Sequence, residues 1–448
     1  MESAPLIPLL YVWILILGVI VFAVLKRPSC GLTMSYCFQM WMLYWLGALI
    51  HVFPWSELPE TEYVVLGFQQ ATWGMAAFAI GLLLASKPLG KAILGKNAAA
   101  PKGDGSEVEI DLAKARKYVA LGLISYFILA PTVGRLRGFN ALPAATSQMV
   151  VSGCCLQAWM VWRKSGKAGL IHILPQTILI PMVTLIRQGF LSYGVMALAT
   201  IMLFIAQFFR PRWLLALAFL ASAYPGLTVY VSYMRDRDDI RAVVWSGQNN
   251  SLRDRLETGW HTLSTMEAFD PYNPSHLEAI DNRLNQNGLV GTAVANLAGQ
   301  GEFLHGETIK DALLAMIPRL IWPSKPIGAG SGNLAARLSG LEFAAGTSVG
   351  VGPVLEFYGN FGTRGVLLGF FFFGALVGAL DYCAGVGLRL GNWSMFTSFF
   401  LVGISCLNVS GSLVEITAGA LAAAVVAYVI RRMDRKERRQ WQAAPALP

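Results

Sequence analysis

The sequence is short of charge. Only 14% of its 448 residues are Asp, Glu, Lys or Arg, whereas an ordinary soluble chain carries about 25%, so a water-soluble fold of this length does not fit. Cysteine and histidine are also scarce, at six and five. Cys30, Cys37, Cys154, Cys155, Cys383 and Cys406 all fall in or beside apolar stretches, so the polar regions hold no disulfide framework. No His/Cys/carboxylate cluster has the spacing of metal ligands. No internal repeat, direct or inverted, is visible.

What is abundant is apolar. These residues make up 55% of the chain and gather in runs of about 17 to 22 with few charges, the length a helix needs to cross roughly 30 Å of hydrocarbon. Strands of a membrane barrel would be shorter and alternating. The fold class expected is therefore an all-α polytopic membrane protein of about 11 transmembrane helices. The spans read as residues 6–25, 32–53, 63–85, 118–133, 144–162, 170–186, 190–209, 213–233, 366–384, 393–408 and 413–430. The last two are the weakest as separate spans. The first resembles a signal peptide, but its basic residues, Lys26 and Arg27, follow the apolar core, which favours a retained span with the N-terminus outside.

That orientation puts in the cytoplasm a set of segments every one of which is basic. These are Lys26/Arg27, the linker 87–117, Arg163/Lys164/Lys167, Arg210/Arg212, Arg389 and the tail 433–448 with its flanking Arg431 and Arg432. The opposite set includes the acidic turn Glu57/Glu60/Glu62 and the segment 234–364, with 11 Lys/Arg against 14 Asp/Glu. The net charge of +9 thus belongs to the cytoplasmic face, and a nucleic-acid partner is not needed to explain it. The organisation expected is eight helices in 1–233, a large periplasmic loop domain at 234–364, three helices in 365–432 and a basic cytoplasmic tail.

A loop of that length is usually functional. It reads as mostly helical, with segments at 251–269, 276–285 and 307–321, the third apolar at helical spacing and suited either to the membrane surface or to docking on the spans. Several arginines break the charge rule: Arg135, Arg137, Arg187, Arg235, Arg237 and Arg241. Guanidinium groups at the outer boundary suit bidentate binding of phosphate or carboxylate. Pairing with Asp236, Asp238 and Asp239, or with ordinary headgroups, is the plainer reading. Pro175, Pro181 and Pro225 interrupt spans where a cavity can satisfy freed carbonyls. Asp381 and Glu415, inside apolar runs, call for partners or water.

The run IPRLIWPSKP, Ile317 to Pro326, then EFYGNFG, Glu356 to Gly362, entering an apolar span, and Arg187-Gln188-Gly189 ending another, resemble bacterial oligosaccharide repeat-unit polymerases of the Wzy type. The resemblance implies a membrane-embedded glycosyltransferase of the C-type fold in the bacterial inner membrane. Such an enzyme passes the growing glycan from undecaprenyl pyrophosphate to the non-reducing end of an incoming lipid-linked unit at the periplasmic face. It implies no metal, no nucleotide sugar and no other cofactor, and a flippase and a chain-length co-polymerase as partners.

Breaking an anomeric bond to pyrophosphate needs stabilisation of the departing charge. Arg187 and Arg319 are the first candidates, with Arg135, Arg137, Arg235, Arg241, Arg283 and Arg364 behind them and Lys325 as a further charge. The acceptor hydroxyl needs a proton acceptor; Glu356 and His305 are the candidates, followed by Glu302 and His261. Asn360 and Tyr358 are candidates to orient sugars, and Trp322 to stack on a pyranose. Glu356 also reads as a helix cap or a partner of Arg364, and Trp322 as an interfacial anchor. Two competing functions are an O-antigen ligase, with a related fold and donor, and a transporter. The latter predicts matching halves with polar groups at mid-membrane, whereas polarity here concentrates in one outer loop.

Overall fold

The computed structural model describes residues 4–95, 111–133, 140–209, 212–245, 252–317, 322, 324–325, 330–344, 347 and 349–443. Among them there are helices and no strand. The first half holds α1 (Leu6–Leu25), α2 (Leu32–Met40), α3 (Leu46–Ile50), α4 (Thr61–Leu84), α5 (Ser86–Leu94), α6 (Leu112–Ile124), α7 (Ala130–Thr132), α8 (Ala141–Ser147), α9 (Met149–Leu170), α10 (Leu174–Gln188) and α11 (Ser192–Ile205). Then come α12 (Arg212–Trp245), α13 (Leu252–Ser264), α14 (Pro274–Leu284), α15 (Asn287–Gln300), α16 (Glu307–Ala315), α17 (Ser331–Ser339), α18 (Gly352–Arg389), α19 (Trp393–Ser405) and α20 (Leu413–Ala443). Two π-helical turns, Trp41–Trp45 and Ser125–Leu129, join α2 to α3 and α6 to α7 without a gap.

Four helices are long and apolar enough to cross a membrane: α1, α4, α18 and the part Leu413–Asp434 of α20. The pair Ala141–Leu170 and Leu174–Gln188, bent by 89°, makes a fifth if it is one span. On α1, Tyr11, Leu15 and Phe22 are 67%, 69% and 61% exposed, a row of bare apolar side chains that water would penalise and lipid accepts. The chain is a membrane protein. The count is lower than the 11 apolar runs because many runs do not become long unbroken α-helices. Runs 32–53 and 118–133 are cut by the π turns, and the run around Pro175 and Pro181 gives a 15-residue helix.

The centre is the pair α4 and α18. Gly67, Gly74 and Gly81 recur every seven residues along α4, one stripe of the helix. A Cβ at Gly81 would strike the Phe371 carbonyl, and one at Gly374 of α18 the Phe78 carbonyl. The two backbones touch because neither side chain exists, the small-residue packing that substitutes for a hydrophobic driving force in lipid. Asp381 of α18 is fully buried and accepts from the backbone N–H groups of Cys30 and Leu32 at 2.8 and 3.2 Å. Its other oxygen accepts from the hydroxyls of Ser29 and Thr33, both at 2.8 Å. That carboxylate therefore ties the start of α2 to α18 and satisfies donors that have no partner within the helix.

The segment 234–364 does not stand apart. α15, α16 and α17 bury Val290, Leu297, Ala312 and Leu338 in the same core as α4 and α18, and α18 runs across the boundary drawn at residue 364. α13 and α14 match two expected segments, and α14 is started by Asn273, whose side chain accepts from the N–H of Ser275, with Pro274 following. α16 docks on α20, where Thr417 Oγ1 donates to the Ala312 carbonyl at 2.8 Å. It ends at Ala315, and residues 318–321 of the expected helix lie outside the described residues. α15 and α17 had no sequence forecast. Within α18, Phe361 and Gly362 break the helix, Gly362 at φ 61°, so EFYGNFG forms the last turns before a kink.

Candidate functional site

A cavity of about 2270 Å³ opens among α2, α6, α8–α11, α14, α15 and α20. Its apolar wall includes Leu123, Ala144, Leu179, Ile180 and Met196, and its polar wall Gln39, Gln188, Asn282, Arg283, Gln286 and Asn408. The five connections that the expected spans leave outside the cytoplasm, 54–62, 134–143, 187–189, 234–365 and 409–412, each contribute to its lining, through Glu60, Asn140, Gln188, the 279–350 stretch and Ser410. None of the basic connections does so among the described residues.

The π turn between α2 and α3 fixes the polar wall. A π turn withdraws carbonyls from the ordinary i→i−4 ladder, and here the Leu43 carbonyl accepts from the N–H of Gln286 at 2.9 Å. The Tyr44 carbonyl accepts from Asn287 Nδ2 at 2.7 Å, and the Tyr44 hydroxyl donates to Gln286 Oε1 at 3.0 Å. Asn285 Oδ1 in turn accepts from Asn287 Nδ2 at 2.7 Å, and Asn285 Nδ2 donates to Asp281 Oδ1 at 2.6 Å. His51, its side chain fully buried, places Nε2 2.9 Å from the same Oδ1 and Nδ1 3.0 Å from Thr61 Oγ1. A carboxylate has only lone pairs, so Nε2 carries the proton of that bond. Asp281 keeps 21% of its side chain exposed and lines the cavity.

Of the expected binding residues, Arg283 lines the cavity; it is exposed and has no ion pair or hydrogen bond among the described residues. Arg187 and Arg241 stand behind its rings. The Arg187 guanidinium carbon is 4.5 Å from the ring of Tyr126 and 5.1 Å from that of Phe127, and that of Arg241 is 4.8 Å from the ring of Phe190. Tyr126 and Phe190 are wall residues, and a guanidinium on an aromatic face is held without losing its hydrogen-bonding edge. Arg135, Arg137 and Arg319 lie outside the described residues.

The remaining expected residues are employed elsewhere. Arg235 binds Asp236 and Glu267 at 2.7 Å each. Its hydrogen bond holds the Asp236 carboxyl below the usual carboxylate range and raises the guanidinium in turn. Lys325 donates to the carbonyls of Leu314 and Ile317 at 3.1 Å, closing the C-terminus of α16. Trp322 Nε1 donates to Ser324 Oγ at 3.1 Å. Arg364 is exposed and not in the cavity wall. Tyr358 is buried with its ring 6.2 Å from that of Phe303.

Asn360 is fully buried, accepting from the N–H of Gly306 at 2.8 Å and donating to Thr308 Oγ1 at 2.6 Å and the Glu356 carbonyl at 2.7 Å. Glu356 is also fully buried; Oε1 accepts from the N–H of Leu413 at 2.7 Å, and the residue does not line the cavity. Its helix-capping reading is the one realised, and it forms no ion pair with Arg364. His305 sits at φ 46° in the exposed turn before α16, and His261 and Glu302 are exposed; none of the three reaches the cavity. Glu415 does reach it, while forming a capping box: Ser412 N–H donates to Glu415 Oε2 at 3.3 Å, and Glu415 N–H to Ser412 Oγ at 3.2 Å.

Sequence reasoning missed Asp281 and His51, which are 230 positions apart. Only the fold brings them together. Fold and cavity define an all-helical integral membrane protein whose helices enclose one large, partly polar chamber. The chain belongs to the family described as a domain of unknown function, DUF8712, whose model matches residues 112–431. No curated protein and no solved structure matches it.

Proposed function

We propose that the protein is a glycosyltransferase of the bacterial inner membrane that polymerises lipid-linked oligosaccharide repeat units at the periplasmic face. It transfers the growing glycan from undecaprenyl pyrophosphate to the non-reducing end of an incoming lipid-linked unit. In this reading the π-broken and shorter apolar helices complete about 11 crossings, with the N-terminus outside and the C-terminus in the cytoplasm.

The observation that carries the proposal is the convergence on one cavity of the five connections expected outside the cytoplasm. A drug-sized pocket holds about 300–1,000 Å³; 2270 Å³ suits a larger ligand. Its two kinds of wall suit two kinds of chemistry. The apolar wall takes a polyprenyl chain, and the amides of Gln39, Gln188, Asn282 and Gln286 match the paired donors and acceptors of sugar hydroxyls. Arg283, in the wall and without an ion pair among the described residues, supplies a cation for the pyrophosphate, and Arg187, outside the wall, holds the ring of Tyr126.

The test is reconstitution of the purified protein in liposomes with the lipid-linked unit extracted from cells lacking its gene. The expected result is a ladder of lipid-linked oligomers with release of undecaprenyl pyrophosphate. Units that remain single in that assay would overturn the polymerase reading, as would transfer only onto a lipid A core.

A further inference from the structure

The polymerase reading leaves the acceptor hydroxyl without a proton acceptor, since Glu356 and His305 stand outside the cavity. We propose that Asp281 is the catalytic proton acceptor and that His51 is its positioning residue; this rests on the polymerase reading.

Among the carboxylates in the cavity wall, Glu415 is committed to its capping box, and Glu60, exposed before α4, has no donor that fixes its carboxylate among the described residues. Asp281 differs. Both of its hydrogen bonds fall on Oδ1, from His51 Nε2 and Asn285 Nδ2. Oδ2 has no partner among the described residues. The two donors come from separate elements, the end of α3 and the turn before α15. They are themselves anchored, His51 at Thr61 and Asn285 through Asn287 to the Tyr44 carbonyl. A carboxylate gripped at one oxygen in this way holds its orientation without reorganisation as the reaction proceeds. A brace between helices would need no second oxygen left over in a ligand-sized chamber. Arg283, two residues further along α14, belongs to the same wall.

The step balances as follows. The acceptor sugar's O–H bond breaks and its proton passes to Asp281 Oδ2, while the oxygen's electron pair forms the new bond to the anomeric carbon. The bond from that carbon to the pyrophosphate oxygen breaks, its electron pair leaving with undecaprenyl pyrophosphate. Asp281 then returns the proton to water or to the departing phosphate.

General-base assistance contributes about 10² to 10⁴ in rate, so the liposome assay should show kcat for Asp281→Asn reduced by at least about 100-fold. KM for the lipid-linked unit should stay within about threefold, because the amide keeps the oxygen that His51 and Asn285 hold. His51→Phe should lower kcat about tenfold at unchanged KM, and His51→Gln, which retains a donor, should recover most of it. Turnover by Asp281→Asn within about threefold of wild type, or a His51→Phe effect confined to KM, would overturn the assignment and leave the polymerase standing. An inactive wild-type protein would instead overturn the polymerase reading beneath it. If Asp281→Asn does not fold, the contrast between the two His51 variants decides alone.

Discussion

The backbone N–H of Leu413 donates to Glu356 Oε1 at 2.7 Å, so a carboxylate of α18 terminates the first turn of α20. Ser412, one residue before, and Glu415, two residues after, close their reciprocal bonds around it. Leaving a buried donor unsatisfied costs about 1–3 kcal/mol. Glu356→Ala should therefore lower the thermal midpoint of the purified protein well beyond Glu356→Gln, which keeps an acceptor oxygen. Equal midpoints for the two variants would show that the bond carries no stability.

Close approach of α4 and α18 makes a second prediction. Gly374→Val should abolish the folded, monodisperse peak in size-exclusion chromatography, because its Cβ meets the Phe78 backbone, which has no room to yield. Gly18→Ala, on α1 with nothing within 4 Å, should be neutral or stabilising by up to about 1 kcal/mol. A monodisperse Gly374→Val would show that the two helices can separate.

The arginines divide by position. Arg283→Ala should leave cells with single repeat units on lipid, and Arg187→Lys should shorten the polymer, since an ammonium loses the planar stacking on Tyr126 and Phe127. Arg364→Ala, outside the cavity wall, should leave chain length unchanged. Full-length polymer from Arg283→Ala would remove the pyrophosphate anchor.

Acid should weaken the Arg235–Asp236 pair. The Asp236 carboxyl is depressed by its hydrogen bond from Arg235, so its contribution is present above the ordinary carboxylate pKa of about 4. It is lost as pH falls through the lower folded value. Asp236→Asn should lower the thermal midpoint slightly at pH near 6, and that gap should narrow as pH falls below about 4. A gap independent of pH would assign the effect to packing.

The apolar runs made the membrane class and the helical fold legible, because burial in lipid demands long, continuous hydrophobic stretches. The helix starts at Asn273-Pro274 and Ser412-x-x-Glu415 are local capping chemistry, yet the sequence reading begins the second loop helix at 276 and treats Glu415 as a charge inside an apolar run. α15 was not legible, because its sequence, NGLVGTAVANLAGQ, is rich in glycine and small residues and is held by close contact with α4. The site was legible only in part. Arg187 and Arg241 break the charge rule in the sequence and the adjacent Asp236 offers Arg235 its ion pair, whereas nothing in the sequence tells Arg283, without an ion pair among the described residues, from the other arginines of the loop. Asp281 gave no sign at all, its environment being built from α3 and the turn before α15.

The insertion at Trp41–Trp45 has a further consequence for orientation. Each residue turns an α-helix by about 100°, and the wider π turn takes one extra residue into the same rotation, so winding these same residues as a regular α-helix would swing everything downstream by about that angle. His51, six residues beyond Trp45, would then face away from α14. The extra residue of this aromatic turn is what aims His51 at Asp281.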